Sequence, residues 1–114
     1  MKTIAVINMK GGCAKTTTTV NMAHILAKDY GKKVLVIDND KQGNLSKACG
    51  VWSYEKPSLA DILTGQQGIE SVTQETNMER LKAIPANMHL LTANLMVIKD
   101  EERQQATILA EELE

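Results

Sequence analysis

Thr3-Ile4-Ala5-Val6-Ile7-Asn8-Met9-Lys10-Gly11-Gly12-Cys13-Ala14-Lys15-Thr16-Thr17 is the stretch that decides the fold. Residues 3–8 are a nearly continuous apolar run rich in β-branched side chains, which predicts a parallel strand buried on both faces. From 15 to 29 the pattern turns helical. Val20, Ala23, Ile25, Leu26 and Ala27 supply a broad apolar face, and Gly31 is placed to stop it. Strand, glycine loop, Lys-Thr and helix, in that order, form an arrangement that holds a nucleotide phosphate. Gly11 and Gly12 allow tight curvature and close approach to an anion. The amides of 11–16 can turn inward as a nest, and the helix adds the partial positive charge of its N-terminus. The predicted phosphate-binding residues are therefore Gly11, Gly12, Cys13, Ala14, Lys15, Thr16 and Thr17. Lys15 is in position for the β- and γ-phosphates, Thr16 for Mg²⁺ through its hydroxyl, and Thr17 for the α-phosphate. A glycine turn with incidental lysines is the simpler alternative, and the coincidence of all four features argues against it.

Outward from this loop, Val34-Leu35-Val36-Ile37 predicts a second buried strand ending at Asp38. With the first strand and helix it makes a βαβ unit, which implies a right-handed parallel crossover. Residues 44–49 read as a short helix and 50–57 as a loop. Ser58 with Asp61 resembles a capping box opening a helix through Leu63. Residues 69–79 are mostly polar and ambiguous. Leu81-Lys82-Ala83-Ile84 reads as a weak strand closed by Pro85. From about Ala93 the pattern is helical, with Leu95, Ile98, Ala106, Leu109 and Leu113 as a discontinuous apolar stripe.

The 114 residues suit one small domain, and a hydrophobic content of 43% suffices for a core built from Val, Ile, Leu, Ala and Met. The net charge of −1 excludes a global basic field for nucleic acid. No apolar run is long enough to cross a membrane, and the N-terminus does not read as a signal peptide. Cys13 and Cys49 lack metal-type spacing, so free thiols in a reducing cytoplasm are expected. Oriented loop amides would lower the thiol pKa of Cys13 and make it oxidation-sensitive, against the simpler reading of an inert thiol. His24 and His89 read as helix residues rather than ligands, and Met78, Met88 and Met96 as packing residues.

The loop departs from the usual G-x-x-x-x-G-K-[ST] pattern: Met9 and Ala14 stand at its glycines, and a second lysine, Lys10, precedes Lys15 by five residues. If position 14 required a positive φ, the Ala14 Cβ would cost roughly 1–2 kcal/mol. Lys-Gly-Gly-x-x-Lys-Thr resembles the deviant Walker A loop of the ParA/MinD superfamily of dimerising P-loop ATPases. Asp38-Asn39-Asp40-Lys41-Gln42-Gly43-Asn44 resembles the D-x-D-P-Q-G-N stretch of ParA/Soj partition proteins, and Ile84-Pro85-Ala86-Asn87 resembles their I-P-[AS]-N run. The likeness spans nearly the whole chain and is strongest over 1–50.

The resemblance implies an α/β fold: a P-loop NTPase-like parallel sheet with flanking helices. It implies ATP and Mg²⁺ as cofactors, and Lys10, Lys15 and Asp40 as catalytic residues. Lys10 would reach across a homodimer to the partner's phosphates, and Asp40 would position or activate the attacking water. Thr16 and Asp38 would be the metal residues, with Asp38 also ordering the first switch loop. Turn chemistry after a strand is the plain alternative for Asp38 and Asp40. Lys41 replaces the family's proline and Ala14 its glycine, which leaves the turnover rate open. The implied role is plasmid or chromosome partition through ATP-dependent dimerisation and DNA binding, with a ParB-type partner protein, non-specific DNA bound by the intact protein, and no membrane. Family members run to roughly twice this length, so 1–114 is expected to be the N-terminal portion of the ATPase domain. The Walker B strand and the C-terminal half would be absent, leaving the sheet incomplete. The alternative is a non-catalytic truncated fragment that keeps the phosphate loop and self-associates.

Overall fold

The computed structural model describes residues 2–6, 13–99, 108 and 111–113; the side chains of Cys13, Ala14, Ile98 and Lys99 are outside that description. Helix α1 (Cys13–Lys28) is followed by strand β1 (Val34–Ile37) and the short helices α2 (Asn44–Ala48), α3 (Leu59–Leu63) and α4 (Ile69–Val72). Strand β2 (Gln74–Glu75), strand β3 (Leu81–Ile84) and helix α5 (His89–Lys99) complete the order. The sheet runs β1-β3-β2. β1 and β3 are parallel, with Val34 opposite Leu81 and Ile37 opposite Ile84. The two-residue β2 is antiparallel to β3, so the sheet is mixed where a parallel one was expected.

Alternation along the strands sorts the core into two layers. On one face Val36, Leu81 and Ala83 meet Ala23 and Ala27 of α1, with Leu45, Cys49 and Val51 closing the layer. On the other, Ile37 and Ile84 pack with Leu59, Ile62 and Leu63 of α3, Val72 of α4, and Leu90, Ala93 and Val97 of α5. Helices on both faces of a small α/β sheet are the expected class. The turn into α3 also behaves as its sequence implies: the Asp61 carboxylate accepts the Ser58 N–H at 2.8 Å.

Several expectations need correction. Residues 2–6 form no strand and Ile4 is 62% exposed, while residues 7 and 8 lie outside the described residues. The parallel pair is instead β1 with β3, and its connection runs through α2, α3, α4 and β2. Residues 2–6 join no ladder among the described residues, and an extended segment gains little without a ladder partner. Leu35 is accordingly 37% exposed on β1 instead of buried. In α1, Ile25 points outward at 49% exposure, because Ala23 and Ala27 are small enough to carry the contact with the sheet. Helix α5 starts four residues before Ala93 and buries Leu90, Ala93 and Val97 while exposing Leu95. The inward stripe is i, i+3, i+7 from Leu90, a phase the expected stripe missed. Met78 packs against the α1 layer, but Met88 and Met96 are exposed. Ala106 and Leu109 lie outside the described residues.

Gly43 marks the tightest point of the fold. Its φ is +70°, and a Cβ there would lie 2.6 Å from Cδ1 of Trp52 and 2.9 Å from the Ala86 carbonyl oxygen. Gly50 has a similar φ of +74° but open space around it. Gly43→Ala therefore combines backbone strain with overlap and is expected to cost about 2–4 kcal/mol in urea unfolding. Gly50→Ala carries the strain alone, about 1–2 kcal/mol. Equal losses at the two positions would show that Trp52 and Ala86 yield freely.

Candidate functional site

The site lies where α1 begins and β1 ends. Helix α1 carries no acidic residue in its first turn, so its N-terminal amides form an undiluted positive end. The backbone of Ala14 is within α1. Lys15 and Thr16 are partly buried in the first turn, Thr17 is exposed, and the Lys15 carbonyl accepts the Thr19 hydroxyl at 2.9 Å. Lys10, Gly11 and Gly12 lie outside the described residues, as do the side chains of Cys13 and Ala14.

The chain brings Lys15 and Asp40 together: Nζ is 3.9 Å from Oδ2, and both side chains are partly exposed. The other Asp40 oxygen accepts the Gln42 N–H at 3.0 Å, an Asx turn that aims the carboxylate. Gly43 N–H closes the same turn on the Asp40 carbonyl at 2.9 Å.

Asp38 is buried, with 4% exposure. Its Oδ2 accepts the Ser46 N–H at 2.9 Å and the Ser46 hydroxyl at 2.6 Å. Its Oδ1 accepts the Asp40 N–H at 3.1 Å. The Ser46 hydroxyl in turn accepts the Ala86 N–H at 2.8 Å. The Asp38 carboxylate thus closes the turn after β1 and joins it to α2. No cluster of three or more His, Cys, Asp or Glu fit for a metal occurs among the described residues. The oxygens near the site, the Thr16 hydroxyl and the Asp38 and Asp40 carboxylates, are the hard donors that Mg²⁺ accepts.

Residues 84–87 act as a second anchor. The Pro85 carbonyl accepts the Leu59 N–H at 2.8 Å. Fully buried Asn87 donates to the Ser53 carbonyl at 2.9 Å and accepts the His89 N–H at 2.9 Å. His89 stacks on Tyr54 with ring centroids 4.3 Å apart, a packing role. Sequence reasoning singled out this tetrapeptide without assigning it contacts, and it missed Ser46, Trp52 and the backbone of Ala86. Ser46, the third residue of α2, carries no sequence signal of its own.

Cys49, buried in the α1 layer, has its thiol pKa raised, first by desolvation and then by the charge of Asp38. A raised folded-state pKa contributes stability below the unfolded thiol's pKa, and that contribution is lost as pH rises through the folded value. Cys49 is expected to resist iodoacetamide at pH 8 in the folded chain and to react at the rate of a free thiol in urea. Rapid labelling of the native chain at Cys49 would contradict its burial.

A family model described as an AAA domain matches residues 1–114. The chain is 37% identical over 103 residues to the chromosome-partitioning ATPase Soj of Treponema pallidum, covering 90% of this chain and 40% of that protein. It is 36% identical over 104 residues to the sporulation initiation inhibitor protein Soj of Bacillus subtilis, covering 90% and 41%. Among solved structures it resembles cobyrinic acid a,c-diamide synthase of Mycobacterium smegmatis with a bound ATP analogue and magnesium. The TM-score is 0.83 at 31% identity, over 94% of this chain and 43% of that one. The chain thus spans about two fifths of the curated relatives it matches. The whole-length family match shows that the chain belongs to the AAA-domain family, and within it the chain is similar in sequence to both Soj proteins.

Proposed function

We propose that this chain is the N-terminal portion of a ParA-type ATPase domain that binds Mg·ATP at the start of α1 and hydrolyses it in plasmid or chromosome partition. The observation that carries the reading is the approach of Lys15 to Asp40 at the positive end of α1. A lysine and helix amides gather anionic phosphate, and a carboxylate beside them can orient a water or take its proton. In this reading residues 11–17 cradle the phosphates, Lys15 neutralises the charge that develops on them, and Asp40 positions the attacking water. Thr16 would hold Mg²⁺ through its hydroxyl, with Asp38 beside it. When bound, Mg²⁺ would supply charge neutralisation at the phosphates. Lys10 completes the partner's site in a homodimer joined through the nucleotide face. The intact protein then binds non-specific DNA and answers to a ParB-type partner in the cytoplasm. No helix among the described residues is long and apolar enough to cross a membrane.

A second reading is a non-catalytic piece that self-associates. It is favoured by the edge position of β1 and the exposure of Leu35 on it. Equilibrium titration with Mg·ATP, a turnover assay and sedimentation velocity separate the two readings. Under the first, Lys15→Ala weakens Mg·ATP binding by roughly 10- to 100-fold, the loss of one charge-assisted contact. Asp40→Ala keeps binding within a few-fold and abolishes turnover. Turnover that survives Lys15→Ala removes the mechanism. Absence of nucleotide binding together with concentration-dependent association supports the second reading, and a clean monomer at high concentration excludes it.

A further inference from the structure

We propose that Ser46 is a positioning residue for the reaction at Lys15 and Asp40, transmitting the placement of the β3 end to the Asp40 carboxylate. The proposal rests on the hydrolytic reading of that site. Ser46 is 1% exposed and touches neither Lys15 nor Asp40 in any hydrogen bond described above. It acts through Asp38.

The chain of contacts has a direction. Ala86, two residues beyond the end of β3, donates its N–H to Ser46 Oγ at 2.8 Å. That fixes the hydroxyl rotor, whose single proton then goes to Asp38 Oδ2 at 2.6 Å. The Ser46 N–H donates to the same oxygen at 2.9 Å. Two donors on one carboxylate oxygen set the rotation of the Asp38 side chain. Its other oxygen is thereby presented to the Asp40 N–H at 3.1 Å. With the Asp40 backbone held, Asp40 Oδ1 closes on the Gln42 N–H at 3.0 Å, and Oδ2 is left 3.9 Å from Lys15 Nζ.

No other residue described at this corner does the same work. Gly43 is the residue before α2 and has no side chain with which to cap the helix. The orphan Ser46 N–H is met instead by Asp38, eight residues earlier in the chain. The carboxylate therefore serves two clients at once: the α2 N-terminus on one oxygen and the Asp40 turn on the other. Removing the Ser46 hydroxyl leaves the Ala86 N–H without its acceptor and Asp38 Oδ2 with one donor, so the Asp38 side chain regains rotation.

The test compares wild type with Ser46→Ala and Ser46→Thr, using amide NMR on the ligand-free chain and steady-state ATP turnover. In Ser46→Ala the Asp40 amide resonance is expected to move and its hydrogen exchange to quicken at least 10-fold. The Thr64 and Thr73 amides, in the opposite layer, should keep their wild-type rates. Turnover should fall at least 10-fold in kcat with KM for Mg·ATP within twofold, the signature of a group that orients and does not bind. Ser46→Thr, which keeps the hydroxyl, should restore both the Asp40 resonance and kcat. An unmoved Asp40 amide, a uniform acceleration of every amide, or a kcat that Ser46→Thr does not restore would each overturn the proposal. If Ser46→Ala does not fold, Ser46→Cys, which keeps the volume with a far weaker donor, takes its place with the same outcomes. If wild type itself shows no turnover, the hydrolytic reading fails, and the Asp40 amide alone decides whether Ser46 holds the turn.

Discussion

A carboxylate taken out of water must be met by donors or lose several kcal/mol of solvation. Asp38 is that group here, and its position makes the need acute: it sits at the end of β1 with 4% exposure. It is answered by Ser46 through both N–H and hydroxyl and by the Asp40 N–H. Each contact ties down a different segment. Through Ser46 the carboxylate holds α2, through the Ala86 N–H on Ser46 Oγ it holds the exit of β3, and through Asp40 it shapes the turn beside Lys15. Charge-assisted bonds of this kind are worth about 1.5–3 kcal/mol each, well above neutral ones. The network links elements that the hydrophobic layers alone would only stack. It also explains why Gly43 is required: a turn drawn in this tightly leaves no room for a Cβ beside Trp52 and the Ala86 carbonyl.

The two apolar layers set the frame that this network then aligns. The alternation of β1 and β3 sends Val36, Leu81 and Ala83 to one side and Ile37 and Ile84 to the other, so both helix layers share one thin sheet. The edge of β1 away from β3 is different. It carries half-exposed Leu35, and residues 2–6 run without strand structure despite a composition that favours one. Composition makes 3–8 competent to be a strand; only a ladder actually formed with a neighbour makes it one.

That distinction accounts for what was legible in the sequence. Local signals read well: the helix after the loop, Val34–Ile37, the Ser58 and Asp61 turn, and the strand closed by Pro85 all appear. Phase and partnership read poorly. Ile25 and Leu95 are as apolar as their buried neighbours, and only the location of the sheet says which side of a helix faces in. The motif resemblance singles out Lys15 and Asp40 separately, and only the fold places them 3.9 Å apart. Ser46 was passed over because a serine in a short helix carries no pattern of its own. Its importance comes from Ala86, forty residues later, a contact that no spacing rule encodes.

The two acidic residues of the loop are held with different firmness. The contact between Lys15 and Asp40 is long and partly exposed. Ion pairs of that kind contribute roughly 0.2–1 kcal/mol. A phosphate oxygen offered to Lys15 outbids such a partner, since a charge-assisted bond in a drier setting is worth about 1.5–3 kcal/mol. Asp38 stands on the opposite side of that comparison: buried, and already matched to three donors, it gains nothing by moving. An incoming anion can therefore free the Asp40 carboxylate from the lysine without unfastening the turn that carries it. The base of the loop stays where β3 and α2 put it, and only its tip is exchangeable.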